Sequence, residues 1–179
     1  LAANPTPIDT YPNSLSVDSA GSLYIYWKQT STVSITFELH AKVGTGSVVF
    51  GFPSGSDMID LVVMWLGDDG LGHFSDRKFS TVNSLLTLDL YQNYVPLDAY
   101  RSSEYTVFKF QRNVKLVSCN GNAANEDLDL MTGTISYVYS LNTPIDYAGE
   151  TLNSTPTFTT KTNQFLDGTL TYNCEVCLI

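Results

Sequence analysis

The chain has 179 residues, of which 43 % are hydrophobic and 12 % aromatic, so it is long enough to form one domain around its own core and too apolar to be disordered. Its 18 acidic residues outnumber the 9 basic ones, and the formal net charge of -9 argues against binding to nucleic acid or to an anionic membrane surface. No stretch approaches the about 18 to 20 apolar residues of a membrane-spanning helix. This balance is typical of an extracellular protein, or of one that binds cations.

The first third of the chain is predicted to hold an arm and two strands. Residues 1–20 are rich in Pro, Asn, Ser and Thr, which indicates an extended arm or an edge strand ahead of a single domain over residues 21–179. Residues 22–27 form the first predicted strand. Over residues 33–41 apolar and polar side chains alternate, which predicts a strand with one wet face that carries His40.

The stretch 46–66 is the centre of the predicted fold. Its two nearly all-apolar runs, SVVFGF and DLVVMW, are predicted strands buried on both faces, and a turn containing Pro53, Gly55 and Asp57 joins them. Further strands are predicted at 85–94, 104–112, 133–141 and 169–176. No apolar stripe recurs at helical spacing. Short strands separated by turn signals predict an all-β fold, an antiparallel β-sandwich or barrel.

Six sequence segments occur in a recognisable order between residues 22 and 141: GSVVFGF, SDMIDLVVMW, GHFSDRKF, LTLDLYQNYVPLDAY, EYTVFKFQR and TGTISYVYSL. Together they resemble the DOMON domain, in particular the amino-terminal DOMON domain of dopamine β-monooxygenase-like proteins. The resemblance implies an immunoglobulin-like or jelly-roll-like β-sandwich that is extracellular and serves as a binding or interaction module. Copper hydroxylation in such proteins uses several histidine ligands on separate domains, and this sequence has only 2 histidines, so we expect no enzymatic activity.

The same resemblance implies a metal site with two carboxylates and two main-chain carbonyls as ligands, contributed by Asp60, Asp89, Leu61 and Ser75. A hard cation such as Ca2+ requires several oxygen ligands of these kinds. The acids, with Asp76 near them in sequence, border apolar strands, where an ion would offset their desolvation. The alternative is that the acids cap turns or form ion pairs with Arg77 and Arg112.

Haem is the other cofactor that relatives of this kind bind. Met58 falls where haem-binding DOMON relatives carry an axial methionine, but the late strand that should supply a histidine carries Tyr137 and Tyr139. We therefore expect no haem, and expect Met58 to fill a gap in the core. His40 and His73 stand beside no nucleophile in sequence and are expected at the surface, His73 in a loop.

Three cysteines and one glycosylation sequon provide evidence on whether the protein is secreted. Cys174 and Cys177 form a lone CxxC, which is weak evidence for zinc or for a redox site. In an oxidising compartment we expect a disulfide between Cys119 and Cys174, with Cys174–Cys177 as the rival pairing and one cysteine left over in either case. Asn153 begins an N-glycosylation sequon, which fits a secreted glycoprotein.

The sequence therefore predicts a secreted, non-catalytic, DOMON-like interaction module, stabilised by a cation and part of a larger monooxygenase-like protein. One alternative is a structural subunit of an extracellular filament or matrix, assembling by β-strand exchange through the arm and the sheet edges. Another is a haem- or sugar-binding domain, with sugar rings stacked on strand aromatics such as Tyr24, Tyr26, Trp27, Tyr91, Tyr94, Tyr100 and Tyr105. The expected partners are copies of this chain, other extracellular protein domains or carbohydrate.

Overall fold

The computed structural model describes residues 4–31, 34–89, 92–113, 133–146, 151–152 and 154–166. Within these ranges the chain forms strands and no helix. The strands are β1 (Asn13–Ser16), β2 (Leu23–Ser31), β3 (Ser34–Ala41), β4 (Ser47–Ser54), β5 (Met58–Leu66), β6 (Gly72–Ser80), β7 (Leu85–Leu88), β8 (Tyr94–Ser102), β9 (Tyr105–Asn113), β10 (Thr134–Thr143), β11 (Ile145–Asp146), β12 (Thr151–Leu152) and β13 (Thr159–Gln164).

Two antiparallel sheets pack against each other as a sandwich, which confirms the predicted fold class. Sheet A has the strand order β1-β2-β3-β9-β8, and sheet B has the order β13-β10-β4-β5-β6-β7. A separate two-stranded ladder joins β11 to β12. Since β6 of sheet B packs against β8 of sheet A, the edge strands β7 and β8 lie on the same side of the sandwich.

The space between the sheets is filled by aromatic and β-branched side chains that alternate along the strands. Phe37 of β3 lies at the centre, with its ring centroid 5.5 Å from those of Phe50 on β4 and Phe110 on β9. All three rings are buried. Burying one such ring contributes about 1.5–3 kcal/mol, so the three rings together make a large contribution to the stability of the sandwich.

A second apolar cluster covers the outer face of sheet B. Leu61 and Trp65 point to this face from β5, and Phe79 points there from β6. Phe158, from the segment that follows β12, lies over Phe79 with 5.0 Å between ring centroids. The runs 47–52 and 60–65 are therefore buried on both faces, as predicted.

The register of sheet B depends on one close approach between neighbouring strands. Gly51 of β4 pairs with Leu61 of β5. A Cβ atom at Gly51 would lie 2.2 Å from the main-chain oxygen of Asp60 and 2.5 Å from Cβ of Leu61. Only glycine fits at this position of the ladder.

The predicted strands at 22–27, 33–41, 104–112 and 133–141 correspond to β2, β3, β9 and β10. The prediction of one strand over 85–94 was wrong, because the chain leaves sheet B after β7 and joins sheet A at Tyr94. Strands β6, β8 and β13 were not predicted. The strand predicted at 169–176 lies outside the described residues.

Candidate functional site

The inner face of the sandwich carries an ion pair at one end. Asp60 on β5 and Arg112 on β9 are 2 % and 0 % exposed, and Nη2 of Arg112 donates a hydrogen bond to Oδ2 of Asp60. The guanidinium lies over the rings of Phe52 and Tyr94, 5.2 and 5.3 Å from their centroids. The two charges are therefore held together in an aromatic surrounding.

Two more carboxylates are buried near this ion pair. Asp76 on β6 is 1 % exposed, and its Oδ2 accepts the backbone N–H groups of Asn93 and Tyr94. Asp89, which follows β7, is also buried, and its backbone N–H donates to the carbonyl of Asp76 over 3.1 Å. Gln92 donates to the carbonyl of Asp89 over 2.9 Å. These contacts link the end of β7 in sheet B to the start of β8 in sheet A.

Burial dominates the electrostatics of this region. It raises the pKa of Asp60, and the charge of Arg112 together with its hydrogen bond offsets that rise only in part. The nearby charge of Asp89 raises the pKa of Asp60 further. Burial and the charge of Asp60 raise the pKa of the Tyr94 hydroxyl well above its ordinary range. Asp60 is therefore easier to protonate than a surface carboxylate.

The predicted metal ligands can now be placed. Asp60 is engaged with Arg112, as the alternative interpretation proposed. Leu61 and Ser75 were predicted to contribute main-chain carbonyls, and both lie in the ladder of β5 and β6. The side chain of Leu61 belongs to the outer apolar cluster, and the hydroxyl of Ser75 accepts a hydrogen bond from Nε of Arg77 over 2.9 Å. Across the described ranges, no group of three or more His, Cys, Asp or Glu is arranged to hold a metal ion. Metal ligation at this end of the sandwich stays a prediction.

The residues considered for haem lie on different strands. Met58 is the first residue of β5 and is only half-buried, between Ser54 and Ser80 on the neighbouring strands. Tyr137 is buried in the inner core. The prediction that His73 lies in a loop was wrong: it is on β6 and stacks on Trp65 with 4.9 Å between ring centroids.

Most of the aromatics considered for sugar stacking are buried. Tyr26, Trp27, Tyr94 and Tyr105 are each less than a tenth exposed, so their rings are not available to a sugar on the surface. Tyr24 and Tyr100 are half-buried, and Tyr91 lies outside the described residues.

The outer face of sheet A holds a second buried polar cluster, which corrects the prediction of a wet face on β3. Glu38 and His40 are 0 % and 1 % exposed, and Nε2 of His40 lies 2.7 Å from Oε1 of Glu38. The rings of Tyr26 and Tyr105 flank His40, with centroid distances of 5.2 and 6.3 Å. The prediction of a surface His40 was wrong because another part of the chain covers this face.

The covering element is the amino-terminal arm, residues 4–12. The backbone N–H of Ile8 donates to Oε1 of Glu38 over 2.9 Å, and the hydroxyl of Tyr26 donates to the carbonyl of Pro5. The carboxylate of Asp9 accepts from Nζ of both Lys28 and Lys109, at 3.0 and 2.8 Å. These two lysines, on β2 and β9, lie on either side of β3. The arm is thus held by contacts to three strands.

The arm contacts affect the titration of Glu38. Burial alone raises the pKa of Glu38, but hydrogen bonds from His40 and from the Ile8 N–H outweigh it and hold the pKa below its ordinary value of 4.5. Hydrogen bonds from Lys109 and Lys28 likewise lower the pKa of Asp9. Both carboxylates are therefore stabilised as anions when the arm is docked.

Sequence reasoning missed this cluster. The available signal was a Pro-x-Pro segment with an acidic residue, in a chain whose first strands carry polar residues on one face. Three predicted features lie outside the described residues: the cysteines Cys119 and Cys174 of the expected disulfide, and the sequon residue Asn153. Ser154 and Thr155, which complete the sequon, are exposed.

No helix in the described part of the chain is long and apolar enough to cross a bilayer. In comparisons with known proteins, no family model matches the chain and no curated protein matches it. The structure establishes an all-β sandwich of two sheets, and the DOMON resemblance stays an interpretation of the sequence.

Proposed function

We propose that this chain is a secreted, non-catalytic, DOMON-like interaction module that binds a protein partner along the side of the sandwich formed by β7 and β8. The proposal includes a place in a larger monooxygenase-like protein. The observation that supports this proposal is the position of the exposed apolar side chains.

Most of the exposed large apolar side chains lie on the edge strands β7 and β8. Among the described residues, six of the seven exposed large hydrophobic residues lie on β7, on β8 or in the connections next to β6: Leu71, Val82, Leu85, Leu88, Val95 and Leu97. Their exposed fractions run from 48 % to 76 %. Apolar residues grouped in this way on a soluble domain are typical of a protein-binding surface.

The edge strands favour binding through side chains over extension of the sheet. Pro96 in β8 has no N–H to donate, and the register shifts between Pro96 and Asp98. The strand β7 has 4 residues. Both features discourage strand addition. Burying one exposed leucine in a partner contributes about 1.5–3 kcal/mol, so a few of these side chains would give measurable affinity.

Two further observations support the secreted and non-catalytic parts of the proposal. Ser154 and Thr155, which follow Asn153 in the sequon, are exposed, and N-glycosylation takes place at surface positions. His40 is engaged with Glu38 on the outer face of sheet A, and His73 is stacked on Trp65 in sheet B, so the two histidines occupy separate surroundings.

Site-specific photo-crosslinking tests the proposal. A photoreactive phenylalanine analogue is placed at Leu88 or Leu97, and at Lys161 on the opposite edge strand β13 as a matched control, in protein secreted by its native host. We expect one discrete protein adduct from positions 88 and 97, and none from 161. The same adducts from all three positions, or none from any, would contradict a binding surface at β7 and β8.

A further inference from the structure

The face of β3 that the arm covers is polar. The outer side chains of β3 are Ser34, Thr36, Glu38 and His40, all polar and all buried. The residues that form the inner core point to the opposite side of the same strand. If the arm left, water would reach polar groups, and no core residue of β3 would be exposed. Release of the arm would also expose the ring of Tyr26 on β2, which is 7 % exposed and packs on Tyr11 of the arm with 6.1 Å between ring centroids, so the hydrophobic cost of release is confined to a few side chains.

The contacts of the arm are those of a bound peptide. Residues 4–12 form no strand, and β1 begins only at Asn13. The sheet recognises a main-chain carbonyl at Pro5, a main-chain N–H at Ile8 and a carboxylate at Asp9. These groups define a ligand: an extended, proline-containing segment with an acidic residue just beyond its second proline. Such segments are already extended when free, which lowers the entropy cost of docking.

The charges fix the direction and register of this ligand. Asp9 lies between Lys28 and Lys109, the only lysines on this part of the outer face that the described contacts bring to the arm. Both ion pairs are partly exposed to solvent, so each contributes little to affinity. Binding is therefore selective for an acid at one position and weak enough to reverse.

We propose that the outer face of sheet A is a binding site for an extended Pro-x-Pro peptide followed by an acid, and that the arm of a second copy of this chain binds there in exchange for the resident arm. The inference stands on the arm and on sheet A, and is independent of the surface at β7 and β8. The chain's own arm competes at a millimolar effective concentration, so exchange between copies increases with protein concentration.

An isotope-mixing experiment on the whole chain tests the exchange. Equal amounts of 14N- and 15N-labelled protein are mixed, incubated at rising concentration and treated with a zero-length carbodiimide, which joins a lysine amine to a carboxylate in contact. Crosslinked peptides containing Asp9 with Lys28 or Lys109 are then examined by mass spectrometry. We expect the mixed-isotope fraction of these crosslinks to rise from near zero at micromolar protein towards half of the total at millimolar protein.

The same sample contains an internal control. Lys42 and Glu104 form an ion pair of 3.2 Å within the body of the sandwich, so their crosslink should stay within one isotope at every concentration. Asp9 crosslinks that stay within one isotope at all concentrations would overturn the exchange. If the Lys42–Glu104 crosslink also contains mixed isotopes, the crosslinks come from random encounters between molecules, and the proposed exchange would be overturned as well.

A peptide assay tests the ligand chemistry separately. A fluorescent peptide of residues 4–12 is added to the full-length chain carrying Asp9→Ala, whose own arm is weakened, and to the wild type. We expect the variant to bind up to about tenfold more tightly, because its arm lacks both ion pairs, and Lys109→Ala in the same background to weaken binding about threefold. A D9A chain that unfolds cooperatively but does not bind the peptide would overturn the site. A scrambled peptide of the same composition that binds more tightly than the peptide of residues 4–12 would contradict the proposal that the arm of a second copy is the ligand.

Discussion

Removing the carboxylate of Asp60 should strongly destabilise the fold, because Arg112 would keep its charge between the sheets. Arg112 is 0 % exposed and cannot lose its proton in a protein. Removing one partner of a buried ion pair typically costs about 3–5 kcal/mol. We therefore expect Asp60→Ala to lower the free energy of unfolding by that amount, a large part of the about 5–15 kcal/mol of a typical domain.

The opposite substitution should cost less. In Arg112→Met the apolar side chain still packs against Phe52 and Tyr94, and Asp60, whose pKa burial raises, can take up a proton and become neutral. The double variant removes both charges, and should be at least about 2 kcal/mol more stable than the sum of the single effects predicts.

Urea denaturation followed by tryptophan fluorescence measures all four proteins, since Trp27 and Trp65 are buried. The expected order of stability is wild type, double variant or Arg112→Met, and last Asp60→Ala. If the two single effects add to within about 0.5 kcal/mol, the carboxylate and the guanidinium are not coupled and the reasoning fails.

Three further predictions follow from other parts of the structure. Gly51→Ala should lower the free energy of unfolding by about 1–3 kcal/mol or prevent folding, because its Cβ would overlap the main chain of β5; urea denaturation measures it. The arm should detach as the pH falls below 4.5, because a carboxylate with a lowered pKa contributes stability above its ordinary value and loses it as the pH falls through the lowered one; protease cleavage within residues 4–12 reports it. If a cation binds at Asp60 and Asp89, a chelator should lower the melting temperature of the wild type, and Asp89→Ala should abolish that response.

Each of these has a control. Gly44→Ala places a Cβ in open space and should leave stability within about 0.5 kcal/mol of the wild type, so an equal loss at both glycines would refute the steric argument. Glu38→Gln should reduce the pH dependence of arm cleavage, and Glu38→Gln combined with Asp9→Asn should remove it between pH 3 and 5 (roughly the range in which a carboxylate titrates), because Asp9 still titrates in the single variant; unchanged acid sensitivity in the double variant would assign the effect to another group. A melting temperature that a chelator does not change would leave only the ion pair at Asp60.

The sequence was sufficient for the fold class because the central strands are strongly patterned. The runs 47–52 and 60–65 are apolar at nearly every position, which is possible in a soluble chain only where both faces of a sheet are covered. Strand β6 was missed since its inward positions include the charged Asp76, so neither alternation nor an apolar run marks it. Strand β8 was missed because Pro96 argues against a strand, and it is tolerated only where β8 forms an edge.

The candidate sites were predicted less well, for a reason of topology. The sequence placed Asp60 at the rim of a buried strand and offered Arg112 as a partner, and the structure brings these two together. The sequence alone could not decide between this ion pair and a bound cation, because the partner of Asp60 depends on which strand of sheet A faces β5. The burial of His40 depends on the arm, which lies about 30 residues away in sequence, as the bond from Ile8 to Glu38 records.

The apolar cover over the outer face of sheet B limits how far the chain can be shortened. Strands β10 and β13 are neighbours in sheet B. Ile145, Leu152 and Phe158 lie between these two strands in sequence and shield Leu61, Val63 and Trp65. A variant in which a flexible linker replaces residues 145–158 would keep every strand of sheet B but would expose the apolar outer face of that sheet to solvent. Such a protein should precipitate or form soluble aggregates, so this stretch belongs to the smallest unit that can be handled in solution.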